Sequence, residues 1–124
     1  MPRTKPSAAQ AAHARAMKFE LPDIVQFLQE TLGQKLVAHI ADVDPKTVGR
    51  WASGDSSPRP PAEQRLRLAF QVFHLLQEEE SPHTIRAWFI GLNPQLDDVA
   101  PATAIRDGHL RDALIAARAY IAGG

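Results

Sequence analysis

The segment QKLVAHIADVDPKTVGRWASG, residues 34–54, constrains the fold more than any other part of the sequence. Its first half has the apolar spacing of a short helix. The chain must then turn sharply at Asp42. Asp44-Pro45 is a helix start signal, because an Asp side chain accepts from free backbone N–H groups and Pro suits the first helical position. We therefore expect two short helices around a tight turn, the second of which stops at Gly54.

The second of these helices has an apolar side and a polar side. Val48 and Trp51, three residues apart, turn one side inward. Lys46, Thr47 and Arg50 are left outward as a basic and polar face that suits a DNA major groove. Arg50 offers two donors to a guanine edge, and Thr47 offers a methyl group or a hydroxyl. The pattern is typical of a helix-turn-helix.

Two further residues are candidate contacts to DNA phosphates. Gln34 begins the preceding helix, and Arg59 follows the motif. An alternative stays open, in which the segment is a packing unit that never contacts DNA. Three acidic residues near the same face favour that alternative: Asp42, Asp44 and Asp55.

The remaining sequence predicts further helices and no strand, so we expect an all-α fold. Asp23 is predicted to cap a helix that Gly33 ends. The other predicted segments are a helix from Ser7 to about Met17 or Lys18, a proline-rich linker at 55–61, helices at 62–80, 82–91 and 108–122, the last capped by Asp107 or Gly108, and an irregular stretch at 95–104. We divide the chain into a basic extension (1–20), a helix-turn-helix region (21–61) and a C-terminal helical module (62–124).

Charge and composition exclude several classes of protein. The 14 basic and 14 acidic residues cancel, so DNA binding requires a local basic surface rather than bulk charge. Without cysteine, neither a disulfide nor a cysteine-ligated metal is possible. No apolar run approaches the roughly 18 residues of a membrane span, which favours a cytoplasmic protein. The five histidines lack metal-ligand spacing, and no catalytic set or phosphate-binding glycine loop occurs. We expect no enzyme activity, cofactor or metal.

The long helix predicted at 62–80 carries more apolar surface than one core requires. Its two apolar stripes together form an arc that covers more than half of the helix circumference. A helix that faces only its own core needs an apolar stripe roughly 100° wide. We expect the following helices and a second copy of the chain to cover this arc. Leu68, Val72 and Leu75 are the candidate homodimer or core contacts.

The C-terminal part resembles the toxin-binding domain of the Xre/MbcA/ParS antitoxin family. The shared features are Trp88, Asn93-Pro94, Leu96, Pro101 and the run Ile105-Arg106-Asp107-Gly108 before an amphipathic final helix. In the front part, LVAHIADVD and TVGRW followed by Gly54 and Pro58 are similar to an Xre-type motif. The resemblance covers about residues 21–124.

This resemblance implies an antitoxin of a type II toxin-antitoxin system that represses its own operator. The implied partner is a RES-domain toxin, which consumes NAD or transfers its ADP-ribose. The C-terminal end of the antitoxin would block the toxin's cofactor pocket. The candidate contacts are Arg111, Ile115 and Arg118 on the final helix, with Tyr120 and the carboxylate of Gly124.

Two other functions remain open at this point. The chain is a stand-alone dimeric Xre-type repressor if its C-terminal helices only dimerise. It is an interaction adaptor if its front part has lost DNA binding, which the zero net charge of the whole chain would suit. The basic and apolar strip on the final helix is equally compatible with a solvated helix face.

Overall fold

A computed structural model describes residues 20–123 of the chain. The predicted helix from Ser7, most of the basic extension at 1–20 and the contact of Gly124 lie outside this range. Within it there is no β-strand, only one isolated antiparallel bridge between Asn93 and Val99. The predicted all-α fold is confirmed.

The described residues form α-helices joined by short turns, with one 3₁₀ helix. These are α1 (Leu21–Leu32), α2 (Gln34–Ala41), α3 (Pro45–Ser53), α4 (Pro60–Leu76), α5 (Pro82–Ile90), the 3₁₀ helix (Pro94–Leu96), α6 (Pro101–Arg106) and α7 (Leu110–Ile121).

Local capping chemistry sets the boundaries of α2 and α3, as the sequence predicts. Asp42 ends α2 in the left-handed conformation, with φ of 59°, which Asp tolerates better than most residues. Asp44 caps α3, and its Oδ1 accepts from the backbone N–H of Thr47 at 3.0 Å. Gly54 ends α3 at φ of 82°. Both helices and the turn between them are confirmed.

The predicted start of α1 and the predicted end of α4 are wrong. Helix α1 begins at Leu21 after Glu20, without a side-chain cap from Asp23. Its Pro22 suits the first turn, where no backbone N–H is needed. Helix α4 ends at Leu76 instead of continuing to residue 80. Acidic residues 78–80 follow, and carboxylates at a helix C-terminus are repelled by its negative dipole end.

The stretch predicted to be irregular contains two short helices, the 3₁₀ helix and α6. Helix α6 begins at Pro101, and its Ala102 and Ile105 are buried. The final helix begins at Leu110 after His109, so neither Asp107 nor Gly108 caps it. Gly108 has φ of 88°, outside the helical region, which separates α6 from α7.

One apolar core extends through both halves of the chain. It includes Ile24 of α1, Val37 of α2, Phe73 of α4, Ile105 of α6 and Ala117 of α7. Helix α4 packs against α1, α2, α6 and α7. The boundary proposed between residues 61 and 62 therefore passes through a shared core.

The chain's own helices cover the apolar arc of α4. Val72 and Leu75 are buried, and Leu68 is half-buried against the same core. The arc therefore gives no support for a second copy of the chain, and the homodimer stays a prediction.

Candidate functional site

The outer face of α3 carries three of the predicted DNA contacts in one row. Lys46 and Arg50 are exposed, and Thr47 is half-buried. Arg50 Nη2 donates to Thr47 Oγ1 at 3.1 Å, and this hydroxyl donates to Asp44 Oδ1 at 3.3 Å. Arg50 is thus held close to the N-terminal turn of its own helix, while Lys46 extends into solvent.

The helix cap keeps a negative charge beside this row. The backbone hydrogen bond from Thr47 holds the pKa of Asp44 below its ordinary value, against the opposing effect of desolvation. The Thr47 hydroxyl and the charge of Arg50 act in the same direction. The carboxylate therefore stays ionised, and part of the Arg50 charge is balanced within α3.

Gln34 connects the start of α2 to the start of α3. Its side-chain Nε2 donates to the carbonyl of Pro45. A Cβ atom at Gly49 would lie 3.4 Å from the same Nε2, so α3 approaches this side chain closely at Gly49. Gln34 thereby connects the two helices, and the second N–H of its side-chain amide remains as a donor for a phosphate.

Arg59 lies in a shallow groove that also contains Arg65. The two arginines border the apolar side chains of Val43 and Trp51, next to Pro61 at the start of α4. Arg59 is exposed and Arg65 is half-buried. The sequence analysis missed Arg65, whose only signal is its place early in α4, directly after the proline-rich linker.

All the large apolar side chains that are exposed within residues 20–123 lie after residue 89. They are Ile90, Leu92, Val99, Ile115 and Tyr120. A large exposed apolar side chain is ordinary when it stands alone, whereas a contiguous exposed apolar patch indicates a binding surface. The C-terminal module therefore carries the apolar surface of the described chain.

Part of this surface is a groove between the end of α5 and α7. Trp88, Leu92, Pro94 and Tyr120 line it, and the small side chain of Ala116 forms part of its floor. Leu92 is 77% exposed, more than any other large apolar residue described. The sequence analysis placed Tyr120 in the site but missed Leu92. The available signal was an apolar residue inside the Gly-Leu-Asn-Pro turn.

The other predicted contacts on α7 are exposed, and Tyr120 is held in place. Arg111, Ile115 and Arg118 all lie on the solvent side of the helix. Tyr120 Oη donates to Glu80 Oε1 at 2.8 Å. This hydrogen bond raises the pKa of the phenol, since the hydroxyl would have to give up the shared proton next to a carboxylate.

The described residues contain no cluster of three or more His, Cys, Asp or Glu side chains with the geometry of a metal site. Among residues 20–123 no helix combines the length and hydropathy that a membrane span requires.

Comparison with known proteins identifies relatives of this chain. It is 31% identical over 78 residues to the mycobacterial cidal antitoxin MbcA of Mycobacterium bovis and to that of Mycobacterium tuberculosis. The aligned region spans 63% of this chain and 69% of each relative. The chain belongs to the MbcA antitoxin family.

Membership of the MbcA family implies that a toxin is the partner of this chain. Homology to an antitoxin favours a regulatory protein, and the absence of enzyme activity stays a prediction. No protein-family model matches the chain, and no solved structure matches it.

Proposed function

We propose that this chain is the antitoxin of a type II toxin-antitoxin system. It neutralises a RES-domain toxin by binding through its C-terminal module, and it represses its own operon by binding operator DNA through α2 and α3. The observation that carries the proposal is its relationship to MbcA. The RES identity of the toxin and the operator binding rest on the sequence resemblance.

The exposed apolar surface supports toxin binding by the C-terminal module. Leu92 and Tyr120 line one groove, and Ile115 is exposed on the same helix as Tyr120. Exposed apolar groups flanked by Arg111 and Arg118 match the composition of protein interfaces, whose centres are apolar and rich in aromatic and Arg side chains. The proposed toxin-binding surface therefore extends beyond the α7 strip to Leu92.

The geometry of α2 and α3 supports DNA binding. A left-handed turn at Asp42 joins the two helices, and α3 presents Lys46 and Arg50 outward. A helix that enters the major groove with its N-terminal residues at the base edges uses these positions. Gln34 and Arg59 are placed at helix N-termini, where phosphates are bound.

Co-expression with the neighbouring reading frame tests toxin binding. We expect the neighbour alone to stop growth and deplete NAD, and the wild-type antitoxin to restore both and co-purify with it. Leu92→Asp should reduce co-purification at least about tenfold, because a carboxylate would be buried in an apolar contact. Because Ala113 and Ala117 of α7 belong to the main core, a point substitution is a cleaner test than removal of the helix.

Gln64→Asp is the matched control. It also introduces a carboxylate at an exposed position, on α4 and outside the proposed surface. Equal co-purification of both variants would refute the location of the surface. A neighbour that is harmless in every combination would refute the antitoxin function, and growth arrest with unchanged NAD would refute the RES assignment.

A gel shift with the DNA upstream of the antitoxin's own reading frame tests operator binding. Arg50→Gln should weaken binding by about 1–3 kcal/mol if Arg50 makes a bidentate contact to a base. Arg67→Gln makes the same charge change on α4, away from α3, and should leave binding within about twofold. Equal weakening by both substitutions would show that only net charge matters.

A further inference from the structure

Four side chains connect α2 and its turn to α6, although more than sixty residues separate them in sequence. Arg106 Nε and Nη2 lie 3.2 and 3.0 Å from Asp42 Oδ1, and Arg106 Nη1 lies 3.3 Å from His39 Nδ1. His39 Nε2 lies 2.9 Å from Thr103 Oγ1. Arg106 and Thr103 belong to α6, in the C-terminal module.

The direction of these hydrogen bonds follows from the chemistry of the groups. A guanidinium only donates, so His39 Nδ1 must accept. The proton of a neutral imidazole then lies on Nε2, which donates to Thr103 Oγ1. Arg106 thus fixes both the carboxylate of the turn and the orientation of the ring one turn earlier in α2.

This network acts on Asp42, in the turn that leads from α2 into α3. Asp42 is the left-handed C-cap of α2, two residues before the cap of α3. Its carboxylate would otherwise be an uncompensated negative charge near the proposed DNA face. The Arg106 and Asp42 side chains are 41% and 58% exposed, so their pairing contributes little stability. Its effect is on the orientation and charge of the turn.

We infer that Arg106 is a positioning residue for DNA binding, supplied to the α2–α3 turn by the C-terminal module. The inference rests on the proposed operator binding and adds a determinant outside the helix-turn-helix. Helix α6 is joined to α7 by only three residues, 107–109. The element that orients the DNA face is therefore continuous with the helix proposed to bind the toxin.

The test is a double-mutant cycle of Arg106→Gln and Asp42→Asn. The measured quantity is the Kd for duplex DNA from upstream of the antitoxin's reading frame. Circular dichroism first checks that each variant is folded. Asn is chosen because it also tolerates the left-handed conformation. We expect Arg106→Gln to raise the Kd about three- to tenfold. The double variant should bind no more weakly than Arg106→Gln alone, because neighbours that act through one contact are not additive.

Arg67→Gln is again the matched control, because it breaks an arginine–carboxylate pair of 3.4 Å between two residues of the same helix, α4. It should change the Kd less than twofold. Arg106→Lys retains the positive charge and a hydrogen-bond donor, so it should bind DNA more tightly than Arg106→Gln does.

If the wild-type protein does not bind the duplex, the DNA-binding part of the proposed function fails, and this inference fails with it. If the wild type binds and Arg106→Gln stays within twofold, only the inference is overturned. Multiplicative effects of the two substitutions would likewise overturn it, since they would show that Arg106 and Asp42 act separately.

Discussion

The hydroxyl of Tyr120 on α7 donates a 2.8 Å hydrogen bond to Glu80, which lies just after α4. The bond joins the last helix to the turn that follows the longest one, and it orients the aromatic ring that forms a wall of the Leu92 groove. A residue proposed to contact the toxin is therefore already held in position in the isolated chain.

Tyr120→Phe should lower stability slightly at neutral pH and have no effect at high pH. The folded pKa of Tyr120 is raised above the ordinary value of 10.0. The stabilisation is therefore fully present below pH 10 and is lost as pH rises through the folded value. Urea denaturation of both proteins at pH 7 and above pH 10 measures this, and a difference that stays constant with pH would contradict it.

Asp44→Ala should destabilise α3 in a pH-dependent way. The folded pKa of Asp44 is lowered below the ordinary 3.8, so the stabilisation is present above that value and is lost as pH falls through the folded one. The difference in urea midpoint between wild type and variant should be largest near pH 7 and shrink below pH 3.8. Asp44→Asn, which retains a capping oxygen, should lose less at pH 7.

Gly54→Ala should destabilise the fold by about 1 kcal/mol, because a Cβ atom at φ of 82° is strained. Beyond the neighbouring residues in the chain, nothing lies within 4 Å of the added carbon, so the cost comes from the backbone conformation. Gly54→Asn should cost less, since Asn adopts this conformation more readily. Urea denaturation distinguishes the two, and an equal loss would indicate a steric cause.

Unfolding should be a single cooperative transition, because one core joins both halves. The two tryptophans provide local probes, Trp51 on α3 and Trp88 on α5. In Trp51→Phe and in Trp88→Phe, the fluorescence of the remaining indole and the far-ultraviolet circular dichroism should give the same urea midpoint. Separate midpoints would mean that the front helices unfold independently.

Residues that end or cap a helix predicted several helix boundaries correctly from the sequence. Gly33, Asp44 and Gly54 each set a helix boundary through the chemistry of one residue, and all three lie where the sequence places them. The buried positions of α1 followed from their helical spacing, and Ile24, Val25, Leu28 and Leu32 are all buried.

Features that depend on tertiary contacts could not be predicted in this way. Helix α6 has only six residues, and the burial of Ile105 rather than local preference stabilises it. To predict the pairing of Arg106 with Asp42, one must know that α6 packs against α2. The exposure of Leu92 was missed for the same reason, because an apolar residue in a turn is buried or exposed according to its neighbours.

The core shared by residues on both sides of positions 61 and 62 limits how this protein can be re-engineered. A chimera that joined α1–α3 to the C-terminal module of another protein would have to rebuild the packing around Phe73 and Val37 at once. A substitution at Lys46, whose side chain contacts solvent, requires no such repacking. New specificity is therefore more accessible through single outward positions of α3 than through exchange of whole segments.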